Sequence, residues 1–311
     1  MSLNRLPSDA PGPDQPDPDW FVGREVELLG AHEAAATARR GSAQILLVSG
    51  EAGSGKSAFL DQVRLGLARA GWLTVVGRCP QVGAHAPAQP WVQVVRSLAG
   101  AAGGVLDAGL TAHLSPLLLD HPVEPGDVAR GRFQLHNAVA EFLMRVRRPI
   151  LLVLDDLHRA DSETLAILGS VSDLLAREHG MVEVVLAGAH RIDPGEQLED
   201  TLGELARHAP ARLRLGGLDE EDAAQLVAQI CGMSVDDVTL QAMMQRTAGN
   251  PFYLRQEALL LASGAGGPSG AGGPGGGDGP ADVRDSLQRR LAQLPQCRAG
   301  PGWRCRPWCR R

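Results

Sequence analysis

Residues 44–70 read Gln-Ile-Leu-Leu-Val-Ser, then Gly-Glu-Ala-Gly-Ser-Gly-Lys-Ser, then Ala-Phe-Leu-Asp-Gln-Val-Arg-Leu-Gly-Leu-Ala-Arg-Ala. The middle octet, Gly50 to Ser57, fits the phosphate-binding pattern GxxxxGK[ST]. The apolar run before it, bounded by Gly41 and Gly50, predicts a buried parallel strand. After it, Phe59, Leu60, Val63 and Leu67 fall at helical spacing over 57–70. Strand, glycine loop and helix therefore follow in the order that phosphate binding needs. Glycines let successive N–H groups turn toward one anion, and the helix directs its positive end at the same point. Gly50, Gly53, Ser54, Gly55, Lys56 and Ser57 are the candidate phosphate-loop residues, with Lys56 bridging the β and γ phosphates and Ser57 a ligand to Mg²⁺.

Working outward, Lys56 is the only lysine among 311 residues; the other 29 of the 30 basic residues are arginine. A compact ammonium is thus kept at the one place where a point charge must reach between phosphate oxygens. The formal charge of −6 offers no basic field for nucleic acid or an acidic membrane. No apolar run approaches the ~20 residues needed to span a bilayer, and the N-terminus has no signal core, so the expected location is the cytoplasm. Cys79 and Cys231 lie far apart and Cys297, Cys305 and Cys309 crowd the end, which argues against a disulfide framework. The histidines show no HExxH spacing, and Cys305 and Cys309 lack two further ligands for zinc.

Strands are expected at 44–49, 72–78, 150–154, 182–187 and 212–215, alternating with helices that end near 40, run over 57–70, pass through Trp91 to Leu98, and cover 132–147, 162–178 and about 198–207. This predicts an α/β three-layer sandwich with a mostly parallel sheet. Residues 100–126 give no clear pattern. The domain reading is a Pro- and Asp-rich disordered lead over 1–19, a nucleotide-binding domain over 20–216, and a small helical lid over 217–262 with helices at 219–231, 235–247 and 251–262. A glycine-rich tether follows over 263–280, then the opening helix of a further domain over 281–296, then a tail over 297–311.

Asp155 and Asp156 close the Ile-Leu-Leu-Val-Leu strand at the carboxyl edge of the sheet, where open α/β folds bind ligands. Asp155 is assigned to Mg²⁺ and Asp156 to the attacking water; two carboxylates capping the next helix are the plainer alternative. Arg191 follows the strand ending at His190 and is placed to sense a γ phosphate, or is a solvated arginine at a loop start. Gly249-Asn250-Pro251 reads locally as a helix stop with Pro at the first position of the next helix.

Together the segments Phe21-Val22-Gly23-Arg24-Glu25, GEAGSGKS, ILLVLDDLHRAD, VLAGAHR and TAGNPFYL, in this order, resemble the ATPase module of STAND-class signal-transducing regulators. The similarity is greatest to the large LuxR-type transcriptional regulators of actinobacteria and spans about residues 20–294. It implies a P-loop NTPase fold, ATP and ADP as ligands with Mg²⁺, slow hydrolysis, and a nucleotide switch with ATP-dependent self-association. It further implies that Val22, Gly23 and Arg24 form the adenine-side segment, that Arg191 is the sensor arginine and that Pro251 of the lid touches the base. Arg159 departs from the tryptophan usual in the family, and no helical-repeat sensor region or DNA-binding helix-turn-helix follows.

Two other functions compete. A GTPase would normally read guanine with an [NT]KxD motif, which a chain whose one lysine is in the phosphate loop does not contain. A small-molecule kinase, or a nucleotide-binding fragment without signalling output, stays open. The tail CRAGPGWRCRPWCRR, with three of the five cysteines and no helical or strand period, reads as the product of a frame break near 295–297, or as a short basic binding tail.

Overall fold

The computed structural model describes residues 20–80, 87–102, 104–118, 128–178, 180 and 182–263. The expectations for a lead at 1–19, for a tether over 264–280, for a helix at 281–296 and for a tail at 297–311 fall outside these residues. In chain order the elements are α1 (Glu25–Ala38), β1 (Gln44–Gly50), α2 (Lys56–Arg69), β2 (Leu73–Arg78), α3 (Gln89–Ala101), α4 (Ala108–Leu118), α5 (Val128–Arg145), β3 (Ile150–Asp155), α6 (Ser162–Arg177), β4 (Val184–His190), α7 (Glu196–Leu205), β5 (Ala211–Leu215), α8 (Glu220–Cys231), α9 (Asp237–Thr247) and α10 (Pro251–Ala262).

The five strands form one parallel sheet in the order β2-β3-β4-β1-β5. Burial follows that order. Every residue of β3 and β4 is buried, whereas the edge strand β5 alternates between half-buried and exposed positions until Leu215, which is buried. A parallel strand covered by helices on both faces must be apolar throughout, which is why Ile-Leu-Leu-Val-Leu could be recognised at once. Side chains along a strand alternate between the two faces. Ile45, Leu47, Leu152, Leu154 and Leu186 accordingly join Trp91, Phe142 and Leu168 in one core. Leu46, Val48, Leu151, Val153 and Val185 join Phe59, Leu60 and Val63 of α2 in the other. The indole N–H of Trp91 donates to the Thr164 carbonyl at 3.0 Å, pinning α3 to α6.

The third cluster belongs to the helices after β5: Leu218, Leu226, Val227, Leu240, Met243, Leu254 and Ala258, closed from the other end of the domain by Val22. Aspartates cap two of these helices, with Asp219 accepting from Asp222 N–H and Asp236 from Thr239 N–H, each at 2.9 Å.

Several expected bounds shift by a few residues, and one element is new. The stretch 100–126, expected to be patternless, contains α4, whose Leu110, Leu114 and Leu117 are buried against the sheet's helical cover. The fifth helix begins at Val128 and not at 132, and β4 begins at Val184 and not at 182. Burial of its leucines accounts for α4, whereas the added first turn of α5 is exposed over residues 130–134 and lengthens that helix without packing.

Candidate phosphate and nucleotide site

Because β4 lies between β1 and β3, the carboxyl ends of all three strands meet at one edge. Ser49 is paired with His190, and Leu154 with Gly188. The topology thereby gathers Gly50–Ser57, Asp155, Asp156 and Arg191, which are far apart in sequence.

The loop keeps its shape through its glycines. Gly53 and Gly55 have φ of +81° and +89°, in the left-handed region. A side chain at Gly50 would collide with the Ser54 hydroxyl oxygen and meet the Leu215 carbonyl at 2.8 Å. Gly55 is the N-cap of α2 and supplies no side-chain acceptor, so the first N–H groups of that helix are left to face a ligand.

Lys56 is buried, with 8% of its surface exposed. Its Nζ donates to the Gly50 carbonyl at 3.0 Å and to the Glu51 carbonyl at 2.7 Å. An ammonium has three donors, so one proton is left for an anion at the mouth of the loop. Burial lowers its pKa, while the nearby Asp156 and Asp155 carboxylates pull it back up.

Asp155 is the last residue of β3 and is 6% exposed. Burial pushes its pKa up, the Ser57 hydroxyl hydrogen bond opposes this, and the neighbouring Asp156 charge adds to the rise. A buried carboxylate beside a serine hydroxyl is an oxygen pair suited to a hard divalent cation such as Mg²⁺. No group of three or more His, Cys, Asp or Glu gathers among the described residues, so an ion here would share its shell with ligand oxygens or water.

Asp156 takes a left-handed backbone conformation, φ 59° and ψ 39°. Its N–H donates to Asp155 Oδ1 at 2.9 Å. His158 Nδ1 lies 3.9 Å from Asp156 Oδ1. Burial lowers the pKa of this imidazole, and neither ring nitrogen has a hydrogen-bond partner. His158 has no metal-ligand spacing in the sequence, and its place in the DDLH turn is the local signal for this position. Cys79 stands near the same carboxylates. Burial first, then Asp156, Asp161 and Asp155, raise its pKa to about 12, which keeps it a thiol and no nucleophile.

Arg191 is exposed just past β4, close enough for its charge to lower the pKa of both Lys56 and His158. Pro251 opens α10 over the loop, with its Cγ 4.0 Å from where a Cβ on Gly55 would lie. Asn250, absent from the candidate residues, donates from Nδ2 to the Ala52 carbonyl at 2.9 Å.

Val22, Gly23 and Arg24 sit differently. Val22 is buried in the lid cluster. The Arg24 guanidinium donates to the Gly216 carbonyl at 2.5 Å and to Glu27 at 3.3 Å. Gly23 has φ +63°, and a side chain there would strike the Asp222 carboxylate. The segment is fastened to the start of the lid, and among the described residues no hydrogen bond joins it to the phosphate loop. Arg255 of α10 stacks over Trp20 with its Cζ 5.1 Å from the ring centre, a further tie between the segment before α1 and the lid.

No helix among the described residues is long and apolar enough to cross a membrane. No curated protein matches the chain. Among solved structures it is similar to a Walker-type ATPase of Pyrococcus abyssi, at 13% identity over 88% of this chain and 72% of that one, with a TM-score of 0.48. It is also similar to AMPPCP-bound DnaA from Aquifex aeolicus, at 13% identity over 89% and 70% of the two chains, with a TM-score of 0.47. The Orc1 protein of Aeropyrum pernix in complex with DNA shares 16% identity over 88% and 69%, with a TM-score of 0.48. Residues 21–186, more than half of the chain, match the AAA ATPase domain family, and the chain belongs to that family.

Proposed function

We propose that this protein is an ATP-binding switch module that hydrolyses ATP slowly, of the kind found in STAND and LuxR-type signalling regulators. The observation that carries the reading is the Lys56 ammonium. It is held by two loop carbonyls with one donor to spare, beside a Ser57–Asp155 pair that suits a hard cation. Lys56 and the loop N–H groups receive the β and γ phosphates. Ser57 and Asp155 would hold Mg²⁺, which supplies positive charge to the phosphate oxygens. Asp156 orients the water, and Arg191 contacts the γ phosphate. An aspartate reaches less far toward that water than a glutamate does, which is the reason for expecting a slow rate.

Adenine is the expected base, held between the Val22-Gly23-Arg24 segment and Pro251. The ties from Arg24 to Gly216 and from Val22 into the lid core support a base site at the hinge between the two units. The absence of a second lysine, and so of a guanine-reading [NT]KxD motif, favours the same choice. Self-association in the ATP state belongs to this reading, as does regulation of transcription in a larger assembly.

Thermal-shift titration with ATP, ADP and GTP in Mg²⁺ tests it. Ligand at a hundredfold excess over its dissociation constant should add roughly 2.7 kcal/mol of stability. ATP and ADP should raise the melting temperature and GTP should not; equal shifts with all three, or none, would refute the proposal.

A further inference from the structure

Asn250 uses one amide for two purposes. Its Oδ1 accepts from Phe252 N–H at 3.1 Å and so caps α10. Its Nδ2 donates to the carbonyl of Ala52, 198 positions earlier in the chain. Phe252 N–H also approaches the Gly53 carbonyl at 3.3 Å. The contact is close: a Cβ on Gly53 would lie 2.7 Å from Asn250 Oδ1 and 2.8 Å from Phe252 Cβ.

A peptide unit is planar and trans, so the Ala52 carbonyl and the Gly53 N–H point in opposite directions. Fixing the carbonyl against the lid turns the N–H to the other side of the loop, and that N–H donates to no other described residue. Gly53, at φ +81°, has no side chain to resist a flip of this peptide. The turn bond from Ser54 N–H to the Glu51 carbonyl at 3.2 Å spans this peptide and is compatible with either facing, and the Asn250 amide is the group in place to select one.

We infer that Asn250 is a positioning residue for phosphate binding. Through Ala52 it sets the Ala52–Gly53 peptide in the orientation that offers the Gly53 N–H to a phosphate oxygen, and it ties that orientation to the seating of the lid. The inference rests on the nucleotide reading above and adds to it a residue that acts on the phosphates and not on the base. The arrangement is reciprocal: a phosphate that holds the peptide also strengthens the Asn250 contact and hence the closed lid.

The test compares Mg·ADP with adenosine, which lacks phosphates, in calorimetric and ligand-detected NMR titrations of the whole chain. Asn250→Ser keeps a good helix cap but is too short to reach Ala52. It should weaken ADP about tenfold, the worth of one neutral hydrogen bond and the orientation it fixes, and leave adenosine binding and the ligand-free melting temperature unchanged. Asn250→Asp keeps the cap and turns an acceptor toward the Ala52 carbonyl, so it should weaken ADP further. Unchanged ADP affinity in both variants would overturn the inference while leaving the nucleotide site standing. Parallel loss of ADP and adenosine, or a large drop in ligand-free melting temperature, would show a structural role only and would also overturn it. A parent protein that binds no ADP would refute the nucleotide reading itself, and this inference with it.

Discussion

Replacing Lys56 by methionine separates what the residue does for the fold from what it does for a ligand. Methionine keeps a stem of similar length, so the space filled by a side chain only 8% exposed stays filled. Two carbonyls, those of Gly50 and Glu51, lose their donor at 3.0 and 2.7 Å. Lost bonds of this kind cost about 1 kcal/mol each. Against that, the ammonium is itself penalised by burial, as its lowered pKa shows, and removing a buried charge relieves the penalty. The ligand-free protein should therefore melt within a few degrees of the parent. Binding behaves differently, because a charge-assisted hydrogen bond to phosphate is worth about 1.5–3 kcal/mol. Coulomb attraction at ~4 Å in a medium of effective dielectric about 20 is worth ~4 kcal/mol, an overlapping contribution and not an additional one. A loss of about 3–4 kcal/mol, or a Kd raised some 10²- to 10³-fold, is expected for ATP by calorimetry. Lys56→Arg should not restore it, since a planar fork cannot keep two loop carbonyls and a phosphate on one point. An ATP affinity in Lys56→Met within a few fold of the parent, in a protein that melts normally, would refute the placement of Lys56 at the phosphates.

Asp156→Asn should keep Mg·ATP bound and slow its single-turnover hydrolysis, whereas Asp155→Asn, which neutralises the buried carboxylate beside Ser57, should raise the Mg²⁺ concentration needed for half-maximal ATP binding; hydrolysis in Asp156→Asn at the parent rate would remove that residue from the water site. Asp161 accepts from Thr164 N–H at 2.9 Å, from the Thr164 hydroxyl at 2.7 Å and from Ala88 N–H at 3.2 Å, so Asp161→Ala should cost about 2–3 kcal/mol in urea unfolding through a lost cap and a stranded N–H. Burial raises its pKa, yet the bonds from Thr164 and Ala88 outweigh this and hold it below the usual aspartate value. A depressed folded-state pKa means that the contribution is present above the unfolded value of about 3.9 and is lost as pH falls through the folded one, so the gap between parent and variant should be full at neutral pH and close below about pH 4. A gap that widens in acid would contradict the assignment.

The sequence announces this fold where one physical requirement dominates. Strands covered on both faces must be apolar at every position, which made β1 and β3 legible, and a loop that offers N–H groups to an anion must carry glycine at its left-handed positions, which made Gly53 and Gly55 legible. α4 was hidden because two signals conflict there. Leu110, Leu114 and Leu117 recur at helical spacing behind Asp107, whose carboxylate accepts from Leu110 N–H at 2.8 Å, yet Gly109 and Pro116 speak against a helix. Burial of the leucines decided the outcome, and burial is a property of the whole fold.

The candidate site divides along the same line. Residue types at fixed short spacing, such as the phosphate loop and the paired aspartates, carry their chemistry in the local text. The Asn250 amide on Ala52, the Arg24 guanidinium on Gly216 and the unpartnered His158 ring do not, because each depends on what stands opposite after folding. Asn250 is the instructive case. As a helix cap it has a complete local explanation, which satisfies a reader of the sequence and conceals that the other half of the same amide reaches the phosphate loop. A cap accounts for an oxygen and leaves an NH₂ group over, so a capping asparagine, unlike a capping aspartate such as Asp219 or Asp236, still has two donors to place. In this protein one of those donors is placed where the lid meets the loop, and an aspartate at 250 would cap α10 as well while turning a negative oxygen toward the Ala52 carbonyl.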